Sequence, residues 1–317
     1  MDAFRVISPG SLTTIQDRGR YGFIDRGVPP SGALDLTAFR IANLLVGNPD
    51  GAAALEITML GPSLEVLCEA ADVALAGADM GLTVNRQAVP MWRSLRVKRG
   101  DLIRVGRAVS GCRAYLAVTG GIDAPLVMGS RSTCVKAKIG GVEGRPLRKE
   151  DVLRRLPGEP LPDVRSVPQD VIPAYTADIV LRAIPGPQEE AFGRGLDTFF
   201  DSRYDITPES DRMGCRLQGP PIHHDEGFPQ SIISEPTIPG NVQVPADGQP
   251  IILLVEQTTG GYTKIATVIS SDISKIAQAV PGNRVRFRRV SLEEAHRTCR
   301  EQALRMQEIE ARLTPVR

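Results

Sequence analysis

Short apolar runs between turns set the rhythm of this chain. The runs are Leu64–Leu67, Val73–Ala76, Leu82–Val84, Leu102–Val105, Ala114–Val118, Ile179–Ile184, Ile251–Val255, Ile265–Ile269 and Val285–Val290. Several alternate apolar and polar residues, the period-two signature of half-buried strands. The chain carries 31 glycines and 25 prolines, many of them between these runs, so the strands are brief and the turns frequent. This pattern predicts a mainly β protein made of barrels or sandwiches.

Helical spacing is confined to three places. Asp35 is placed to cap LTAFRIANLLV, which Gly47 closes. Asp272 is placed to cap ISKIAQAV, which ends at Pro281-Gly282. In the C-terminal segment, Ser291 and Glu294 form a capping box. Leu292, Ala295, Cys299, Met306, Ile309 and Leu313 then make one apolar stripe, read as packing on the helix's own domain. The Pro-rich stretch 156–173 lacks periodicity and reads as a linker, dividing the chain into a β-rich domain of residues 1–160 and a second domain of residues 161–317.

Charge and composition narrow the function classes. Lys and Arg number 38 against 37 Asp and Glu, so a net charge of +1 gives no electrostatic case for nucleic acid or acidic membranes. Cys68, Cys112, Cys134, Cys215 and Cys299 are odd in number and form no CxxC pair, which argues against a disulfide framework or a zinc site. The first residues lack a signal-peptide core, and no run approaches the roughly 18 apolar residues that span a bilayer. A cytoplasmic protein is expected.

No P-loop, GxGxxG, HExxH or GxSxG motif is present. His223 and His224 are adjacent, but two imidazoles without a third ligand read as a charged loop rather than a metal centre. Five polar, glycine-bearing loops remain: residues 13–35, 118–147, 207–220, 238–250 and 256–264. Glycine lets backbone N–H groups approach a ligand, Gln and Thr bond amides without adding charge, and Arg and Lys bind anionic oxygens. The last loop, EQTTGGYTK, interrupts two apolar runs and holds one of only six lysines. It is either a hairpin turn or the rim of a site.

The loops also carry a resemblance. TTIQDRGRYGF, GVPPSGALD, RIANLLVGNPDGAAALEI, VTGGID, MGSRST, GGVEGRPL, IPGPQ, SDRMGCRLQGP, VPADGQPI and QTTGGYTKIATVI, spread from about residue 4 to about residue 290, resemble the KipA family. That family is also described as allophanate hydrolase subunit 2, as biotin-dependent carboxyltransferase-type proteins and as the 5-oxoprolinase C subunit. The resemblance implies cyclophilin-like β-barrel modules, a few peripheral helices and a C-terminal helix, with residues 161–317 holding such a barrel. It implies a hetero-oligomer with a KipI-like partner (the B subunit) and a separate A subunit, inactive as a lone chain. The activity implied is ATP-dependent opening of 5-oxo-L-proline to L-glutamate, with ATP and Mg at the assembled complex. Alternatives are carboxyl transfer from biotin to urea or a related amide, and a KipA-like regulatory protein that binds a KipI-like kinase inhibitor. The small-molecule substrate is an amide or lactam in the enzymatic versions.

Carried over by motif, the catalytic candidates are Lys264, Gln257, Thr258 and Asp17. The substrate-binding candidates are Thr259, Gly260, Gly261, Tyr262, Gln16, Arg20, Ser31, Gly32, Asp211, Arg212, Gln243 and Gln249; no metal ligand is expected. Asp35 also matches the first motif, although its role as helix N-cap takes precedence, and Asp211 with Arg212 is alternatively a structural ion pair. Two departures from the family pattern fall near the last loop: Glu256 abuts Gln257 where an Asp is expected two residues ahead, and Pro236 in SEPTIPG replaces a backbone donor.

Overall fold

A computed structural model describes residues 1–315. The chain forms two compact units, the first from residues 1–20, 31–175 and the segment beginning at Arg305, the second from residues 21–30 and 176–304. The Pro-rich stretch 156–173 lies within the first unit and is bonded to it. Leu161 N donates to Asp72 Oδ2 at 2.7 Å, and Val167 N donates to the Trp92 carbonyl at 2.9 Å. Loss of periodicity there reflects extended chain laid on a surface, not a free linker.

In the first unit, a seven-stranded sheet runs in the order Ile122–Asp123, Val152–Arg155, Asp2–Ser8, Ser63–Val66, Leu102–Val105, Leu82–Val84, Gln87–Val89. A five-stranded sheet runs Leu12–Gln16, Ala54–Thr58, Ser110–Val118, Ala70–Asp79, Ser94–Lys98. Side-chain alternation sorts the faces of the second sheet. Leu55, Ile57, Val73, Leu75, Leu116 and Val118 enter the core shared with Phe4, Val6, Leu64 and Ile103 of the first sheet. Their neighbours Ala54, Ala74, Ala76, Tyr115 and Ala117 face the helix Leu36–Leu45 through Phe39, Ile41 and Leu45. Large residues thus fill the space between sheets, and alanines let the helix sit close. Burying one such Leu or Val is worth roughly 2 kcal/mol. The Asp35 side chain accepts from Ala38 N at 3.0 Å, the expected N-cap.

The second unit is a closed barrel of seven strands: Asp178–Pro185, Lys264–Val268, Asn241–Gln243, Ile251–Leu253, Gly214–Gln218, Arg203–Ile206 and Arg284–Arg289. Neighbours are antiparallel except at the closure, where Asp178–Pro185 pairs in parallel with Arg284–Arg289 from Asp178↔Arg284 to Ala183↔Arg289. Closure removes the exposed strand edges of an open sheet. A separate two-stranded ribbon, Ser231–Pro236 with Thr259–Tyr262, stands outside that ring. The mainly β fold, the closed barrel and the C-terminal helix are those expected.

Two local expectations are corrected. Asp272 occupies the N-cap position of Ile273–Ala277 but makes no cap bond. Its carboxylate instead accepts from Arg182 N, Nε and Nη2 at 2.8, 3.0 and 2.6 Å, because a charged bidentate partner outcompetes one backbone N–H. The helix Leu292–Ala311 buries only Met306 and Ile309 of its apolar stripe; Leu292 and Cys299 are exposed. Ser291 Oγ accepts from Glu294 N at 3.2 Å, but the Glu294 carboxylate pairs with Arg288, so half of the capping box forms.

Candidate functional site

The expected residues fall into two clusters, one in each unit. In the first unit, Asp17 is nearly buried and its carboxylate is filled by the chain itself. Oδ1 accepts from Gly19 N at 2.8 Å, Ser130 Oγ at 2.6 Å and Ser132 Oγ at 2.5 Å; Oδ2 accepts from Arg131 N at 2.6 Å. The adjacent Gln16 is equally engaged. Its Nε2 donates to Thr14 Oγ1 and the Thr133 carbonyl, both at 3.0 Å, and its Oε1 accepts from Gly32 N at 3.1 Å. Arg20 is buried, with Nη2 donating to the Ser132 carbonyl.

The segment holding Ser31 and Gly32 is pressed against this turn. Ser31 and Gly32 take φ of 55° and 88°. A Cβ on Gly32 would lie 2.8 Å from Gly19 N, so glycine is required by contact as well as by φ. The N–H that such a turn offers to an anion is taken here by the Gln16 amide oxygen. Gln16, Asp17, Arg20 and Gly32 therefore form a clasp between loops 13–20 and 130–133. Asp35 continues it: its N–H donates to Tyr115 Oη at 2.8 Å, which donates to Glu56 Oε2 at 2.7 Å.

In the second unit, Lys264 opens a barrel strand directly opposite Gln243 in the ladder. Its side chain is buried, and Nζ donates to Glu235 Oε1 on the outlying ribbon. Gln188 holds both partners: Lys264 N donates to Gln188 Oε1 at 3.0 Å, and Gln188 Nε2 donates to Glu235 Oε1 at 3.2 Å. The Lys264 hydrogen bond, then Gln188, holds the Glu235 carboxyl below its ordinary range. Gln243 Nε2 donates to the Tyr262 carbonyl at 3.3 Å. A Cβ on Gly260 would meet that same nitrogen at 2.2 Å, so glycine here makes room for Gln243. Next to Lys264, the buried Thr263 Oγ1 lies 2.6 Å from His224 Nε2. Burial, then His223, pushes the His224 imidazole toward its neutral form.

The remaining candidates are placed as follows. Thr259, Gly260, Gly261 and Tyr262 form the ribbon strand facing Ser231–Pro236, with Glu235 opposite Gly260 and Pro236 opposite Thr259. Pro236 sits at the end of an edge strand, where a missing donor is tolerated. Gln257 Nε2 donates to the Thr259 carbonyl at 2.7 Å. Thr258 contributes its carbonyl, which accepts from Thr237 N at 2.9 Å. Arg212 pairs with Glu256, and the Asp211 carboxylate caps its own turn through Met213 N at 2.7 Å and Gly214 N at 3.2 Å. Gln249 is spent on Gly219, accepting from its N at 2.8 Å and donating to its carbonyl at 3.2 Å.

Glu235, Gln188, Thr263 and His224 lie outside the set of residues that the motifs mark as a site. IPGPQ and SEPTIPG contain Gln188 and Glu235, but neither motif says that they meet Lys264. Among the described residues, no group of three or more His, Cys, Asp or Glu side chains is placed to hold a metal, and no helix is long and apolar enough to cross a membrane. A buried ammonium, two primary amides and a half-exposed carboxylate around one strand start can bind an oxygen anion or orient an amide.

Known proteins share this arrangement of the chain. The 5-oxoprolinase C subunit of Escherichia coli K12 is 40% identical over 316 residues, 98% of each chain. That of Haemophilus influenzae is 33% identical over 306 residues, 96% of each. The crystal structure of Kluyveromyces lactis urea carboxylase matches with a TM-score of 0.91 and 31% identity, over 99% of this chain and 30% of that one. Residues 26–289 match the family model of the carboxyltransferase domain, subdomain A and B, and the chain belongs to that family.

Proposed function

We propose that this chain is the C subunit of an ATP-dependent 5-oxoprolinase, which opens 5-oxo-L-proline to L-glutamate together with a KipI-like B subunit, the immediate partner, and with a separate A subunit. The observation that carries this reading is the buried Lys264 ammonium, framed by Gln188 and Gln243 at a barrel strand start. End-to-end similarity to two proteins named as C subunits of 5-oxoprolinase supports it.

A lactam is a poor electrophile, so its opening needs an oriented amide and a stabilised oxyanion. Lys264 supplies the positive charge for an anionic oxygen of the substrate. Gln243 and Gln257 orient the amide as neutral hydrogen-bonders, and Thr258 leads into the ribbon strand Thr259–Tyr262 over it. Gln16, Asp17, Arg20, Ser31 and Gly32 shape their own loop in the first unit. Asp211, Arg212 and Gln249 hold their own turns. ATP with Mg belongs to the assembled complex, where it supplies activation of the lactam carbonyl; no step is assigned to it on this chain. The reading puts the protein in the cytoplasm.

The likeness to urea carboxylase favours one second reading, a component that takes a carboxyl group from biotin to urea or a related amide. Lys264→Ala, assayed in the assembled complex, tests the first. It is expected to lower lactam opening at least a hundredfold while the proteins of the complex still copurify. Full turnover by that variant removes Lys264 from the mechanism.

A further inference from the structure

The partners of the central ion pair differ sharply in surroundings. Lys264 is on a strand of the closed barrel with its side chain 3% exposed; Glu235 is on the outlying ribbon with its side chain 42% exposed. The ribbon is lightly held. Its register slips between Ser231 and Glu235, its neighbour Ile233 is 94% exposed, and the residue opposite Glu235 is Gly260. The cation is therefore buried on a barrel strand, and its counter-ion stands on a half-exposed ribbon outside the barrel.

A buried ammonium left without a counter-charge is strongly unfavourable. Glu235 can leave Lys264 only if another anion takes its place, and a neutral amide offers none. Gln188 fits an exchange. Its Oε1 stays on the Lys264 backbone, while its Nε2, now on Glu235, is free to serve an incoming carboxylate of the same geometry. We infer that Glu235 is a resident counter-ion that holds the place of a substrate carboxylate, so that the Lys264 site selects lactams or amides bearing an anionic group and Glu235 sets that selectivity. This rests on the reading that Lys264 lies in the substrate site. It separates the two readings above by chemistry, since 5-oxo-L-proline carries a carboxylate and urea does not.

The test is equilibrium binding of 5-oxo-L-proline and of its uncharged carboxamide analogue to the assembled complex, without ATP. Glu235→Gln keeps the side-chain shape and removes the competing charge. Glu235→Gln is expected to tighten the carboxylate ligand about tenfold and to leave the carboxamide unchanged, with a lower thermal melt for the unliganded protein because the buried Lys264 ammonium then lacks its counter-charge. Unchanged carboxylate binding, equal weakening of both ligands, or no binding of the carboxylate to either protein overturns the inference. Lys264→Met is the control for the underlying reading: it should abolish the preference for the carboxylate ligand. If the preference survives in Lys264→Met, Lys264 is not in the substrate site. If Lys264→Met loses it while Glu235→Gln changes nothing, the site stands and the exchange fails.

Discussion

Arg212 Nε donates to Glu256 Oε1 at 2.6 Å, with the two side chains only 7% and 4% exposed. The backbone repeats the link, Glu256 N donating to the Arg212 carbonyl at 3.1 Å. This pair ties the SDRMG turn to the start of the QTTGGY loop, and so sets where the ribbon opposite Lys264 begins. The Glu256 position, out of step with the family pattern, is thus a structural anchor. Glu256→Ala removes the buried carboxylate that Arg212 Nε holds and is predicted to cost about 3 kcal/mol. The double replacement Arg212→Met with Glu256→Leu should cost less than Glu256→Ala alone. Urea denaturation checks both; a Glu256→Ala protein of wild-type stability would show that the pair anchors nothing.

Asp17 was expected among the catalytic groups, yet its oxygens accept four donors from its own unit. Asp17→Asn puts an amide N–H against donors and is predicted to destabilise by about 2 kcal/mol. Turnover per folded molecule in the assembled complex should stay within a few fold. Wild-type stability with lost turnover would return Asp17 to the chemistry.

Gly260 leaves the space that Gln243 Nε2 fills. Gly260→Ala is predicted to push Gln243 aside and lower turnover about tenfold or more, with little change in the thermal melt, since the displaced group is the end of a flexible side chain. Gln243→Ala should lower turnover similarly, and the double variant should be little worse than either single one. Additive losses would mean that the two act separately.

Asp272 gives the acid limb of stability a specific source. Burial acts to raise its pKa and is outweighed by Arg182 and then Lys275, leaving it below the ordinary aspartate range. A carboxyl lowered on folding contributes stability above its unfolded pKa and loses it as pH falls through the folded value. Asp272→Asn should therefore be less stable than wild type at neutral pH by roughly 2 kcal/mol. The gap should close as pH drops below the aspartate range. A gap that persists at low pH would assign the loss to packing instead.

Strands such as Leu82–Val84 and Leu102–Val105 were legible to the residue, because alternation records which face is buried. The helix cap at Asp35 was legible for the same local reason. Lys264 was visible as a rare lysine in a glycine-bearing loop. Its partners were not, since Glu235 and Gln188 lie 29 and 76 residues away and meet it only through the barrel and ribbon. Gln16 and Asp17 have the residue types of a site, but only the count of donors around them reveals a clasp. Asp272 shows the converse limit, where a local cap signal yields to a guanidinium 90 residues distant.

The most direct test of the proposed activity is coupled turnover. This chain, combined with its KipI-like partner, the separate third component of the complex, ATP, Mg and 5-oxo-L-proline, should yield glutamate and ADP together, and only when every component is present. ADP without glutamate, or carboxylation of urea by the same assembly when biotin carboxylation is supplied, would contradict the 5-oxoprolinase reading.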